Sequence, residues 1–265
     1  MLSEKEKSWI DIVACGMVIF FTANYIVPVV LLMCSDFFLY EVSDNGIYNL
    51  LTASKLAASI VTIYLLTKWL KSCGCFLVYK DNYRRFVGNS FLIVVMWFAF
   101  IVFEYAIRFF AGEFLKAEET LSTQQNILFG GNMFLDIMSV GIFGPIAEEL
   151  AFRGALYGGL RKKFGTAAAT AISTAVFAVA HQNIYLILMT GVLGLMLALI
   201  YESTSNLLYP ILLHMINNTL SCIDVFCPEM CVETALSTVL ISIVLAIASL
   251  QCLKKRTYKY KNNIR

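Results

Sequence analysis

Charge is scarce in this sequence. Of its 265 residues only 14% are Asp, Glu, Lys or Arg and 59% are hydrophobic, whereas an ordinary soluble domain carries roughly 25% charged residues. The mean hydropathy is +0.75. This shortage excludes a soluble globular protein and predicts a polytopic membrane protein. The formal charge of +2 is too small to suggest binding to nucleic acid.

A cleavable leader is not expected from the first residues. The apolar run after the opening "MLSEKEKSW" is too long for a signal-peptide core and shows no small-residue cleavage site, so we expect the first helix to stay in the mature protein. The chain has no internal repeat and no low-complexity tract. Its apolar runs predict an all-α bundle of about eight spans. They are expected near residues 9–34, 46–70, 86–110, 128–158, 167–182, 184–201, 206–221 and 234–252.

Basic residues are distributed unevenly among the predicted loops. In the eight-span arrangement sixteen of the twenty Lys and Arg residues fall on one side of the membrane, and the alternate loops are acidic. Because cytoplasmic loops carry an excess of Lys and Arg, both termini are predicted to be cytoplasmic. The eight cysteines are scattered. The disulfide state of Cys222, Cys227 and Cys231, near the outer side, stays open, with a Cys227–Cys231 bridge and free thiols as the alternatives.

Some charged residues nevertheless lie inside predicted spans. For Lys55, Glu104 and Asp136, we expect interhelical pairing or a water-filled crevice, because an ionisable group costs free energy at the bilayer centre. The stretch "GPIAEELAFRG" is harder to explain. Its Glu149 and Arg153 are spaced i, i+4 on a helix and can pair. Glu148 is rotated by about 100° from Glu149 and is left without that partner.

Histidine is almost missing. The two in the chain, His181 in "FAVAHQ" and His214 in "HMINN", fall on two of the three spans that follow the glutamates. At 1.5 Å per residue, Glu148 and the two imidazoles lie roughly 20, 22 and 12 Å from the cytoplasmic ends of their helices. Those depths are compatible with one buried site. A carboxylate, two imidazoles and an amide, Asn218, can activate a water and bind an oxyanion.

The three motifs "EELAFR", "FAVAH" and "HMINN" resemble those of the CAAX-processing and bacteriocin-processing protease family (CPBP or ABI), of the CAAX prenyl endopeptidase type. The family pattern is Glu-Glu-x-x-x-Arg, Phe-x-x-x-His and His-x-x-x-Asn or Asp. The resemblance covers about residues 128–221. It implies a catalytic transmembrane core there, accessory helices in residues 1–127, and a last helix with a basic tail in residues 222–265.

The resemblance implies an intramembrane endopeptidase. Glu148 would be the general base, helped by His181, while His214 and Asn218 would stabilise the tetrahedral oxyanion. Two supporting residues would hold the first motif in place, Glu149 and Arg153. Glu149 could also polarise the water. Phe177 is expected to pack and not to react.

Cofactor and substrate are less defined. His181, His214 and Glu148 match the ligand set of a catalytic zinc site, but a metal-free mechanism is slightly favoured, because Asn218 is a poor zinc ligand and a good oxyanion donor. The substrate would be a membrane-associated or lipidated peptide, in CAAX-type processing, bacteriocin maturation or self-immunity. Two alternatives are a non-catalytic membrane scaffold of the same fold and a proton- or ion-coupled transporter.

Overall fold

The computed structural model describes residues 8–27, 29–30, 33, 44–75, 81–112, 114–115, 119, 132–181, 183–222 and 232–263. Within these ranges the chain is helical with short turns and contains no strand, so the predicted all-α class is confirmed. Of the three cysteines near the outer side, only Cys222 is described, as a free thiol. Cys227 and Cys231 lie outside the described residues.

Nine α-helices and three π-helical segments account for the described secondary structure. The α-helices are α1 (Trp9–Phe21), α2 (Asp44–Ser72), α3 (Tyr83–Ala111), α4 (Met133–Asp136), α5 (Gly144–Glu149), α6 (Gly158–Val179), α7 (Ile184–Thr204), α8 (Leu208–Cys222) and α9 (Val232–Asn263). The π segments are π1 (Thr22–Ile26), which continues α1, π2 (Ile137–Phe143) between α4 and α5, and π3 (Leu150–Tyr157) between α5 and α6.

Four of the described helices are long and apolar enough to cross a membrane by length and composition. They are Trp9–Ile26, Gly46–Ser72, Tyr83–Phe110 and Ile184–Thr204. The protein is thus a multi-pass helical membrane protein, as its sequence predicts. The count of eight spans and the cytoplasmic placement of both termini stay predictions.

The boundary between the fourth and fifth predicted spans differs from expectation. The sequence pattern ends the fourth span near residue 158, whereas the helix continues through Gly158 and is interrupted at Gly165. Gly165 has φ 78° and ψ 178°, a conformation that a residue with a Cβ adopts only under strain. Glycine at this position therefore lets the chain turn between two helical pieces.

The described chain forms two compact units. The motif unit comprises Met1–Leu77, Thr123–Ser173 and His214–Asp224, and the second unit comprises Val78–Ser122, Thr174–Leu213 and Val225–Arg265. The division into accessory residues 1–127, a core at 128–221 and a C-terminal part at 222–265 stays a prediction.

In the motif unit, α1 packs on π3 through one face. Ile12, Gly16 and Phe20 are the buried residues of α1 and follow one another at intervals of four, the spacing of a single helix face. Gly16 lies directly against Ala155 of π3, where a Cβ would overlap the alanine methyl. The Phe20 and Phe152 rings meet edge to face with centroids 5.3 Å apart. The first helix is therefore fitted to the helix that carries the glutamates.

A polar contact joins π1 to α2. The amide nitrogen of Asn24 donates to Thr62 Oγ1 at 3.1 Å and to the Phe20 carbonyl at 3.0 Å, while its oxygen accepts from Ser59 Oγ at 3.3 Å. Side-chain hydrogen bonds between helices replace water as partners in a membrane. The hydrogen bonds of Asn24 therefore hold α2 against the first helix at π1.

The second unit packs α3 against α9 and α7 against α9. Of the three intramembrane charges expected to pair, Glu104 does so here, because the Tyr185 hydroxyl donates to its Oε1 at 3.0 Å. At one end of α3, Arg85 pairs with Asp81 at 3.1 Å and donates to the Thr204 carbonyl at 3.3 Å. Burial of these groups is therefore compensated within the unit.

Candidate active site

Three buried polar side chains of the motif unit contact one another in a chain. Arg153 Nη1 lies 2.7 Å from Glu149 Oε1, and the same oxygen lies 2.9 Å from His214 Nδ1. Glu149, Arg153 and His214 have 0%, 1% and 2% of their side-chain surface exposed. The i, i+4 pairing predicted for Glu149 and Arg153 is thus present, and the structure extends it to a histidine on α8.

The contact with Glu149 fixes the orientation of the His214 ring. An ionised carboxylate can only accept, so Nδ1 carries the proton and donates it to Glu149 Oε1. The other ring nitrogen, Nε2, then faces outward from the buried pair, and it lies 3.7 Å from Glu148 Oε2. Glu149 is therefore a second, buried partner of His214 as well as of Arg153.

Glu148 occupies the accessible edge of this cluster. Its side chain is 27% exposed, while that of the adjacent Glu149 is fully buried. Tyr25 of π1 lies within electrostatic range of the Glu148 carboxylate. Two neighbouring carboxylates thus have different surroundings, one held by two cationic or donor groups and one free to meet a solvent molecule or a substrate.

Asn218 and Thr219 attach α8 to π2. Asn218 Nδ2 donates to the Val140 carbonyl at 3.1 Å, and Thr219 Oγ1 donates to the Gly141 carbonyl at 3.2 Å. A π-helical turn leaves carbonyls poorly used, and these side chains satisfy two of them. A Cβ at Gly141 would lie 2.8 Å from Thr219 Oγ1, so glycine permits this close approach. One N–H of the Asn218 amide is engaged here and the second remains a donor.

His181 belongs to the second unit. Its Nδ1 lies 3.0 Å from the Phe177 carbonyl, which can only accept, so Nδ1 carries the proton and Nε2 is the basic nitrogen. The Phe177 ring is 1% exposed and meets the imidazole edge to face at 5.1 Å. Among the residues that the structure describes, the motif unit contains five of the six predicted site residues. They are Glu148, Glu149, Arg153, His214 and Asn218.

Several features of the site were not predicted from the sequence. The π segments on either side of α5 were not expected, although Gly141, Gly144 and Pro145 within an apolar helix are a signal of irregular backbone. The hydrogen bond between Glu149 and His214 joins residues 65 positions apart, which no local pattern encodes. Tyr25 also lies far outside the motifs and carried no sequence signal.

A catalytic zinc ion would need three protein ligands at this site. Among the described residues no group of three His, Cys, Asp or Glu side chains is arranged to hold one. Glu148 Oε2 and His214 Nε2, two of the three ligands that a catalytic zinc site would use, face each other at 3.7 Å. His214 Nδ1 is bonded to a carboxylate, an arrangement that commonly orients a metal-ligating histidine. These two residues therefore suit a shared water or a shared cation.

These features define a helical membrane protein with a buried glutamate–histidine site. Residues 130–220 match the family described as Type II CAAX prenyl endopeptidase Rce1-like. The resemblance inferred from the three motifs is thereby confirmed for this segment, which contains every predicted site residue.

Two curated proteins are similar to part of the chain. The putative membrane peptidase YdiL of Bacillus subtilis (strain 168) is 33% identical over 85 residues, which cover 32% of this chain and 35% of the relative. The membrane-embedded CAAX protease MroQ of Staphylococcus aureus (strain USA300) is 30% identical over 103 residues, 37% of this chain and 42% of the relative. The similarity thus spans less than half the length of either relative. No solved structure matches the chain.

Proposed function

We propose that the protein is an intramembrane endopeptidase in which Glu148 activates a water for attack on a peptide bond. The observation that carries this proposal is the buried Arg153–Glu149–His214 chain, which presents His214 Nε2 to Glu148 at 3.7 Å. A carboxylate at the accessible edge of such a cluster can take a proton from water, and a positioned imidazole beside it can bind the developing oxyanion.

In this mechanism His214 Nε2 acts as a hydrogen-bond donor. Because Nδ1 already donates to Glu149, Nε2 can donate to an oxyanion only when the ring is an imidazolium. Glu149 then stabilises the cation, in addition to orienting the ring.

Asn218 and His181 complete the proposed mechanism. Asn218 lies one turn after His214 on α8, and its remaining amide N–H would donate to the same oxyanion. His181 would assist Glu148, with Nε2 as the nitrogen that exchanges a proton. A zinc-dependent version would use Glu148, His181 and His214 as ligands, and zinc would supply an activated water. We favour the metal-free version, because Asn218 is a good oxyanion donor and a poor ligand for zinc.

The proposed substrate is a membrane-associated or lipidated peptide. The name of the Staphylococcus aureus relative suggests CAAX-type processing, that is, removal of residues after a lipidated cysteine. Bacteriocin maturation and self-immunity remain further proposals that rest on the resemblance of the motifs.

Glu148→Gln is the decisive test. It keeps the size of the side chain and removes the base, so cleavage should be abolished while the melting temperature in detergent is unchanged. Peptides from membranes of wild-type cells and of a Glu148→Ala strain would be compared by mass spectrometry to find substrates, and purified protein would then be tested on them. Glu104→Gln, a buried carboxylate bonded to Tyr185, is the matched control and should keep activity.

The comparison of wild-type and Glu148→Ala strains also tests the two alternatives, a non-catalytic scaffold and a transporter. A scaffold would give identical peptide profiles in both strains, and its effect would instead follow the presence or loss of the whole protein. A proton- or ion-coupled transporter would lose a solute flux in the Glu148→Ala strain with no change in peptides. Substantial cleavage by purified Glu148→Gln protein would refute the protease mechanism directly.

A further inference from the structure

Two exposed arginines of the second unit lack a carboxylate partner. Arg84 lies in the first turn of α3 and Arg256 in the second half of α9. Within the described ranges no Asp or Glu side chain pairs with either of them, whereas the neighbouring Arg85 is paired with Asp81 at 3.1 Å. The two guanidinium groups therefore present uncompensated positive charge at the surface of the unit.

The guanidinium of Arg256 lies directly against α3. A Cβ at Gly88 would overlap it, so the arginine fills the space that a side chain at this position would take. Arg84 is four residues before Gly88 and shares its face of α3. The same two helix ends are joined by Arg85, whose Nη2 donates to Thr257 Oγ1 at 3.4 Å. Arg84 and Arg256 thus reach one place from two packed helices.

Each of these arginines stands at the end of an exposed apolar helix face. On α3 the face of Arg84 continues at intervals of three or four residues, the spacing of one side of a helix. Its exposed members are Val87, Phe91, Val94 and Phe98. On α9 the face of Arg256 continues in the same way through exposed residues. They are Cys252, Ala248, Leu245 and Ile241. Apolar faces of this kind meet lipid tails in a membrane protein, so each arginine ends a lipid-facing surface.

Two exposed tyrosines mark the level of the arginines in the membrane. Tyr83 precedes Arg84 and is 81% exposed, and Tyr258 follows two residues after Arg256 and is 71% exposed. Tyrosine is enriched where the hydrocarbon of a bilayer meets the headgroups. The arginines therefore lie at the depth of lipid phosphates, on the side predicted to be cytoplasmic.

A role in topology alone leaves two features of this pair unexplained. The excess of Lys and Arg in cytoplasmic loops requires charge but no particular geometry. Arg84, however, occupies the first turn of a helix, where a cation is unfavourable, and α3 has no acidic residue there to offset it. Arg256 is packed against Gly88 and does not simply extend into water. A bound anion would compensate both charges.

We propose that Arg84 and Arg256 bind the phosphate of an anionic phospholipid, whose acyl chains lie along the exposed apolar faces of α3 and α9. Guanidinium groups bind phosphate oxygens through paired, charge-assisted hydrogen bonds. An anionic lipid is preferred to a zwitterionic one, because the ammonium group of the latter brings a positive charge towards the arginines. The site is independent of the proposed peptidase activity.

Lipid binding by the purified full-length protein tests this site. Protein in a neutral detergent is titrated with phosphatidylglycerol or with phosphatidylcholine of the same acyl chains, and bound lipid is counted by native mass spectrometry. Phosphatidylglycerol should bind about tenfold or more tightly. The Arg84→Gln/Arg256→Gln protein should bind the two lipids about equally. The Lys162→Gln/Lys163→Gln protein loses two exposed charges of the motif unit and should keep the preference.

Gly88→Leu separates a defined site from an effect of net charge. It keeps every cation but fills the space in which the Arg256 guanidinium lies, so the preference for phosphatidylglycerol should fall several-fold. The melting temperature without added lipid checks that α3 and α9 still pack. If this variant is unstable, the comparison of the arginine and lysine double variants decides.

Several results would overturn the site. They are equal binding of both lipids by wild-type protein, a preference that survives in the arginine double variant, and an equal loss in the lysine double variant, which would indicate net charge alone. A preference unchanged in stable Gly88→Leu protein would do the same. Inorganic phosphate is the last probe: displacement of phosphatidylglycerol by a similar concentration of phosphate would mean that the arginines take a free anion, whereas retention of the lipid supports the proposal.

Discussion

Glu149 holds His214: one carboxylate oxygen lies 2.9 Å from Nδ1 of the imidazole, and both side chains are buried. The same oxygen lies 2.7 Å from Arg153. Glu149 therefore links the arginine of the first motif to the histidine of the last one. The two adjacent glutamates therefore differ in their surroundings, since only Glu148 is left accessible.

The first prediction concerns this link. Glu149→Gln keeps an oxygen that can accept from Nδ1 but removes the charge that stabilises an imidazolium, so turnover should fall by about 10²-fold or more. The buried Arg153 also loses its counter-charge, and the melting temperature should fall. Glu148→Gln should reduce turnover alone. Rate and melting temperature of both variants in detergent check this, and near-wild-type turnover in Glu149→Gln would contradict it.

The second prediction concerns stability. Arg153→Ala leaves Glu149 as a buried charge without its cationic partner, and breaking a buried pair costs roughly 3–5 kcal/mol. The variant should show low abundance in membranes and a lowered melting temperature, together with low activity. Lys163→Ala, which changes an exposed cation, is the control and should behave like wild type. Normal stability of the Arg153→Ala protein would contradict a stabilising role of the Arg153–Glu149 pair.

The third prediction separates two neighbouring residues of α8. Asn218→Ala removes a proposed oxyanion donor and should lower turnover by about 10²–10³-fold. Thr219→Val removes a bond to the Gly141 carbonyl and should change turnover only a few-fold. Both variants lose one contact with π2, so their melting temperatures should fall by similar amounts. If their turnover falls equally, Asn218 acts only by attaching α8 to π2.

The fourth prediction concerns metal. In the favoured mechanism, purified protein contains less than one zinc per chain by elemental analysis. It also keeps its activity after exhaustive treatment with 1,10-phenanthroline. Loss of activity that zinc specifically restores would reverse this preference and would make Glu148, His181 and His214 ligands.

The fifth prediction concerns topology. Sixteen of the twenty basic residues fall on one predicted side of the membrane, which places both termini in the cytoplasm. Reporter fusions at residue 265 and at residue 120 should therefore report opposite sides. If both fusions report the same side, the number of spans between residues 120 and 265 is even and the predicted arrangement is wrong.

The helical class and the Glu149–Arg153 pair were predictable, because both depend on composition and on spacing within one helix. The position of His214 against Glu149 was not, because it depends on how α8 packs on a helix 65 residues earlier. Nor was the interruption at Gly165, since the hydrophobic pattern ends several residues before the backbone turns. Interhelical contacts of this kind are set by side-chain packing, which a single sequence does not display.

The π segments make the motif helix sensitive to insertion and deletion. In an α-helix each residue advances the azimuth by about 100°, and a π turn accommodates one additional residue per turn. Removing a single residue from π2 would let an ordinary helix form in its place. Because a π turn contains about one residue more than an α turn, Glu148 and Glu149 would keep nearly the same azimuth relative to Asp136. The Val140 and Gly141 carbonyls would instead return to the helical hydrogen-bond ladder and would no longer be offered to Asn218 and Thr219. In this part of the chain length is thus as constrained as residue identity, so a substitution at an apolar position of π2 should be tolerated far better than the loss of one residue.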